Sequence, residues 1–233
     1  MSAMKQTLLE GLPQLELNLT EETADKLCAF GEAVIAQNEV MNLTAITEPS
    51  AVAKLHLLDS LTVLTAADLN GKTLIDVGCG AGFPGVPVAI ACPNAKVTLL
   101  DSLGKRMTWL ETILPQLGVK ARCITARAEE AISDHREKFD YATSRAVARL
   151  NILLELTAPY VRVGGAVIAL KGSAARQELE EAAGAVKKLG LKVEEIKDFD
   201  IDGATHSVIV LRKITKTPPQ FPRRYAKIKQ SPL

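Results

Sequence analysis

The sequence predicts an α/β protein built on a seven-stranded, mostly parallel sheet whose last strands are antiparallel, preceded by a helical cap. Three observations carry this. From Lys72 onward, short runs of β-forming residues alternate with longer helical ones, as βαβ units require. The first of these strands ends in a glycine-rich turn, DVGCGAGFPG at 76–85, that opens a helix. The final two runs, KVEEIKDFDI and HSVIVLRKI, flank Asp202 and Gly203, a dipeptide suited to a tight hairpin.

Taken in order, 4–12, 20–38 and 50–66 read as helices and form the cap, residues 1–70. Thr20 is the expected N-cap of the second, with Glu21 and Glu22 where helix N–H groups are unpaired. Leu27, Phe30, Ala33, Val34 and Ile35 make its apolar stripe. The sheet region, 71–214, reads as strands TLIDV, KVTLLD, ARCITA, FDYATS and GGAVIALK. Between them fall helices PGVPVAIA, LGKRMTWLETILPQL and LNILLELTAPYV, and a helix over 173–188 precedes the hairpin. Residues 215–233 read as a basic tail.

With 233 residues, 47% hydrophobic and 24% charged, the chain can bury a full core, which excludes long disorder. Its near-neutral net charge hides an asymmetry. Residues 1–70 hold ten acids against three lysines, whereas no acid follows Asp202 and seven Lys and Arg do. That tail suits either a polyanionic partner or simple solvation. Cys28, Cys79, Cys92 and Cys123 are scattered, with no C-x-x-C pair or neighbouring His, so neither a metal nor a disulfide framework is expected. No run is long and apolar enough for a bilayer and no secretory signal is visible, so a soluble, cytoplasmic protein is expected, and nothing in the chain demands more than a monomer.

The glycine loop admits two readings. Gly80, Gly82 and Gly85, with Asp101 downstream, satisfy the dinucleotide pattern G-x-G-x-x-G and would suit an NAD(P)-binding oxidoreductase. Asp76 distinguishes them, because an acid inside the end of the first strand, followed by Gly78, Gly80 and Gly82, suits S-adenosylmethionine instead. Seven strands ending in an antiparallel pair are likewise the Rossmann-like pattern of class I S-adenosylmethionine-dependent methyltransferases. In such a site Asp76 fixes the loop and approaches the methionine part of the cofactor. Asp101 meets the ribose, Ala128 and Glu129 fall in a short loop after the third strand that brackets the adenine, and Phe83 lies on the glycine loop.

Five segments go further: NLTAI at 42–46, HLLDSL at 56–61, the glycine loop, SRAVA at 144–148 and ALKG at 169–172. Together they resemble the bacterial small-subunit ribosomal RNA guanine-N7 methyltransferases, the RsmG or GidB family, over nearly the whole chain. The resemblance implies methylation of N7 of one guanine in the decoding-region loop of 16S rRNA, within the small subunit or its precursor. It also implies cofactor contacts at Gly78, Phe83, Ala128, Glu129 and Arg145, with Asp101 and Ser102 as additions. A non-catalytic ribosome assembly factor on the same fold is a further reading.

Guanine N7 carries an in-plane lone pair and no proton, so this chemistry needs alignment and exclusion of water, not a general base. No acid or base is nominated. The fourth strand ends in Ser144, Arg145, Ala146, not the N-P-P-Y of amine methylation, and no Cys lies there for attack on carbon. Arg145 could face both cofactor and guanine. Lys171 has a similar strand-end position. His56 reads as a helix histidine packed under a loop or as a wall of the substrate cleft. Lys105, Arg106, Arg223 and Arg224 are the candidate RNA contacts, with a solvated helix face as the other reading of the first two. Trp109, beside Leu110 and Ile113, reads as core.

Overall fold

A computed structural model describes all 233 residues. The cap begins with α1 (Ala3–Gly11) and α2 (Glu21–Met41). Thr20 caps α2 as expected, its side chain accepting from the Thr23 N–H at 3.2 Å. The helix ends at Asn42 in the left-handed region, φ 49°, where an Asn is better tolerated than most residues.

The helix expected over 50–66 is instead broken. It runs as α3 (Pro49–Val52), a π-helical stretch Ala53–Leu58, α4 (Asp59–Leu61) and α5 (Val63–Ala66). Part of the reason is tertiary: the Leu55 carbonyl, inside the widened turn, accepts from Arg145 at 2.8 Å.

The sheet comprises β1 (Thr73–Val77), β2 (Lys96–Asp101), β3 (Ala121–Thr125), β4 (Phe139–Arg145), β5 (Val161–Lys171), β6 (Leu191–Ile201) and β7 (Ala204–Lys213). Its order is β3-β2-β1-β4-β5-β7-β6. The first five strands are mutually parallel, and β7 is antiparallel to both neighbours. Asp202 and Gly203 turn the hairpin, both with positive φ.

Helices α6 (Gly85–Ala91) and α7 (Gly104–Gln116) pack with the cap on one face of the sheet. There Met4, Leu8, Phe30 and Leu57 share a continuous core with Leu74 and Leu99. The other face takes α8 (Ala128–His135), α9 (Leu150–Thr157), α10 (Ala175–Glu181) and α11 (Ala183–Lys188). Two corrections arise here. The 173–188 helix divides at Ala182, whose fully buried side chain belongs to that second core. Ala128 and Glu129 open a helix, not a loop: α8 is too short to show a periodicity, although Glu129 and Glu130 suit its first turn. Trp109 is partly buried and stacks on Phe30.

The tail is not free. It ends in α12 (Tyr225–Gln230), with Ile228 fully buried and Phe221 in the second core.

Candidate functional site

The parallel strands end together on one edge of the sheet, where a cleft forms beside the β1–β4 switch point. A cavity of about 590 Å³ lies there, within the range of small-molecule sites. The glycine loop is its floor. The N–H groups of Gly78 and Cys79 both donate to the Leu100 carbonyl, at 2.7 and 3.1 Å, which draws the loop across the end of β2. Gly78 has φ +75°, and a Cβ there would sit 2.4 Å from Val147 Cγ2, so only glycine leaves room.

Asp101, at the end of β2, accepts from Gly80 N–H through Oδ2 and from Leu103 N–H through Oδ1, each at 2.9 Å. Each carboxylate oxygen keeps a second acceptor site, which suits a pair of ribose hydroxyls. The open backbone at Gly80, where a Cβ would meet nothing nearer than Arg106 Nη1 at 3.7 Å, leaves space for a ligand against the loop. A nucleoside-bearing cofactor fits these residues.

The cap supplies the facing wall. Asn38 Oδ1 accepts from the Thr44 N–H at 2.8 Å, which folds NLTAI back so that Leu43 and Thr44 line the cavity. His56 lies beside them, stacked on Phe83 with ring centroids 4.7 Å apart. Burial, aided by the positive charge of Arg145, pushes its pKa down to about 4, so the ring is neutral near pH 7. Arg145 Nη2 reaches His56 Nδ1 at 3.2 Å. The same Nδ1 lies 3.0 Å from the Leu55 carbonyl, and Nε2 faces Thr44 Oγ1 at 2.8 Å, so both ring nitrogens are engaged.

Arg145 is the centre of this cluster. Its Nη1 donates to Asp59 Oδ2 and to the Leu55 carbonyl, both at 2.8 Å, while the guanidinium lies 5.1 Å from the Phe83 ring centroid. Asp59 is buried, and its other oxygen is 2.8 Å from His206 Nδ1 on β7. Burial alone would raise the Asp59 pKa, but the His206 hydrogen bond and Arg145 outweigh it and hold the carboxyl below its usual range. Beyond Arg145, Ala146 takes φ +56°, an unusual conformation for a residue with a Cβ, and turns the chain along the cavity.

Of the residues expected from sequence, Gly78, Gly80, Phe83, Asp101, Ser102, Arg106, Ala128, Glu129, Arg145 and His56 converge on this cavity. Others do not. Asp76 is fully buried beneath the loop, where Oδ2 accepts from Gly85 N–H at 2.7 Å. It fixes the start of α6 and does not line the cavity, and burial pushes its pKa up to about 7. Gly82 also lies behind the floor, packed near Val86 and Leu110. Lys171 is spent on structure, bonded to the Ala148 carbonyl at 2.6 Å and to Glu178 at 2.8 Å. Arg223 is likewise committed, because its guanidinium grips the buried Glu155. Lys105 and Arg224 are exposed outside the cavity.

Sequence reasoning did not single out Leu43 or Thr44 individually, and missed Asp59, His206, Leu156 and Tyr225. The first three sit in NLTAI and HLLDSL, segments whose role emerges only when they fold against β4. No helix is long and apolar enough to cross a membrane.

Comparison with known proteins gives a consistent picture. A family model described as rRNA small subunit methyltransferase G, GidB, matches residues 23–208. A ribosomal RNA small subunit methyltransferase G from Alkaliphilus metalliredigens is 39% identical, covering 98% of each chain. One from Acetivibrio thermocellus is 40% identical over 99% of this chain and 97% of its own. Among solved structures, TYW2 from M. jannaschii in complex with AdoMet superposes with a TM-score of 0.53 at 15% identity, covering 62% of this chain and 70% of that one. This last likeness concerns the fold.

Proposed function

The chain belongs to the rRNA small subunit methyltransferase G family, and from that membership we propose that it transfers the methyl group of S-adenosylmethionine to N7 of one guanine in the decoding-region loop of 16S rRNA. The substrate is the small ribosomal subunit or its precursor, and the protein works in the cytoplasm as a monomer.

The observation that carries this reading is the Arg145 cluster, a strand end that can position a base but has no group free to take a proton. His56 has its Nδ1 against Arg145 and the Leu55 carbonyl and its Nε2 on Thr44. Asp59 is ion-paired to Arg145 and bonded to His206. Methylation at an exocyclic amine or a carbon would need a proton removed, whereas N7 attack does not.

S-adenosylmethionine, when bound, supplies an electrophilic methyl group on sulfur. Gly78, Gly80, Asp101, Ala128 and Glu129 would hold it, Asp101 through its spare acceptor sites. The aromatic pair Phe83 and His56 walls the cavity with apolar surface and limits water. Arg145, held by three partners, offers a rigid cation to a guanine edge, whose N7 and O6 are both acceptors. Arg106, a partly exposed residue that lines the cavity, would meet an RNA phosphate.

The test is a reconstituted reaction with labelled S-adenosylmethionine and unmodified small subunits, followed by strand cleavage at N7-methylguanine. One cleavage site in 16S rRNA is expected, absent with Arg145→Ala. Transfer to any other atom, or label incorporation that survives the substitution, overturns the assignment. Failure to transfer at all, with binding to subunits intact, would favour a non-catalytic assembly role.

A further inference from the structure

We propose that Tyr225, carried by the C-terminal segment, closes the purine end of the cofactor cavity and stacks on the adenine. This rests on the S-adenosylmethionine reading above and deepens it.

The two terminal segments reach the cavity from opposite faces of the sheet. The cap lies with α6 and α7, while the tail lies with α8 and α9. Tyr225 lines the cavity together with Ala128 and Glu129 at the start of α8 and with Leu156 of α9. The cap residues Thr44 and His56 line it from the other side. Ala128 is itself fixed, its carbonyl accepting from the Tyr160 hydroxyl at 2.5 Å. The aromatic ring is therefore on the side where the adenine is expected.

Its placement is built, not incidental. Before it, Arg136 Nη2 donates to the Phe221 carbonyl. Arg223 gives its backbone N–H and its Nε to Glu155 Oε1, both at 2.8 Å, and its Nη2 to Oε2 at 2.6 Å. After it, Ile228 is fully buried. Tyr225 thus sits between two anchors and is only half-buried itself. Glu155, which holds the tail, and Leu156, which lines the cavity, are consecutive on α9, so the grip on the tail and the cavity wall are one local structure.

A purine presents two apolar faces, and a tyrosine ring covers one with little loss of side-chain freedom. Removing a base-stacking aromatic weakens nucleic-acid binding by about 5- to 150-fold per base, and the lower part of that range applies to a half-buried ring. Electron and proton transfer play no part.

The experiment is calorimetric titration of the full chain with S-adenosylhomocysteine and, separately, with methylthioadenosine, which lacks the amino-acid end. Tyr225→Ala is expected to weaken both by the same factor, about tenfold, and Tyr225→Phe to bind both within twofold of the parent. An unchanged melting temperature for each variant shows that the tail stays seated. Equal binding by parent and Tyr225→Ala, with a raised KM for RNA, overturns the proposal and gives the ring to an RNA base. A loss confined to S-adenosylhomocysteine also overturns it, since the contact would then be at the amino-acid end. If the parent binds neither compound, the S-adenosylmethionine reading itself fails, which is distinguishable because the failure precedes any substitution.

Discussion

Arg145 and Arg223 each set a guanidinium against a buried carboxylate, one joining the cap to β4 and the other joining the C-terminal segment to α9. Their surroundings differ. Arg223 closes a two-pronged fork on Glu155, and neither residue lines the cavity. Arg145 spreads its donors over Asp59, Leu55 and His56 and still faces the cavity over Phe83. The same residue type therefore does two jobs. Where the bonded donors meet one carboxylate, the arginine is a clamp; where they are shared among fixed partners beside a ligand-sized space, it is a positioned cation.

Substitutions can break this comparison. Arg223→Ala should have the largest effect on free energy, because it leaves the fully buried Glu155 with no cation and only the backbone N–H of residue 223, and loss of one member of a buried pair costs about 3–5 kcal/mol. For a chain of this size that lowers Tm by about 10 °C, read by thermal melting, while the KM for RNA should stay near that of the parent. A large rise in RNA KM without loss of stability would restore Arg223 to the RNA interface.

Arg145→Lys keeps the charge but cannot hold three partners in one plane. We expect kcat/KM for methylation to fall about 100-fold, equivalent to about 2.7 kcal/mol, with cofactor affinity changed far less. A uniform loss in cofactor binding alone would make Arg145 a cofactor clamp and erase its difference from Arg223.

The two histidines flanking Asp59 and Arg145 predict smaller, opposed pH effects. The hydrogen bond to Asp59 raises the His206 pKa, so the folded protein holds that proton more tightly than the unfolded chain does. Its contribution is complete below about pH 6.5 and is lost as pH rises through the folded value. His56, held down to about 4 by burial and Arg145, acts in reverse and costs stability as pH falls from about 6.5 towards that value. Urea unfolding from acid to mildly alkaline pH should show His206→Gln flattening the upper part of the profile and His56→Gln the lower. If both variants track the parent, the Asp59 network is not coupled to folding.

The smallest effect concerns the rim. Arg106→Ala should reduce the slope of log affinity for RNA against log salt by about 1, and Lys105→Ala, whose side chain lies outside the cavity, by less. Equal slopes would place RNA over the outer face of α7 and not over the cavity mouth.

Much of the architecture was legible in the chain because it is encoded locally. Alternating β and helical runs specified the sheet, Thr20 capped α2, and Asp202–Gly203 turned the hairpin as expected. The strand ends at Asp101 and Arg145 and the loop residues Gly78 and Phe83 could be placed together for the same reason, since parallel strands deliver their C-terminal ends to one edge. Local patterns failed where distant contacts decided the outcome. The helix over 50–66 widened into a π-helical turn whose Leu55 carbonyl meets Arg145, 90 positions later. Lys171 and Arg223 resembled functional cations because nothing near them in sequence announced Glu178 or Glu155.

By itself, the sequence determined the glycine turn, the strand-end acids and the sheet that carries them, since turn chemistry and hydrophobic period act over a few residues. Only the tertiary structure decided which charges are spent and which face the cavity. A guanidinium's role depends on the donors its neighbours leave open, and those neighbours, such as Asp59 with His206 at a separation of 147 residues, meet only when the chain is folded.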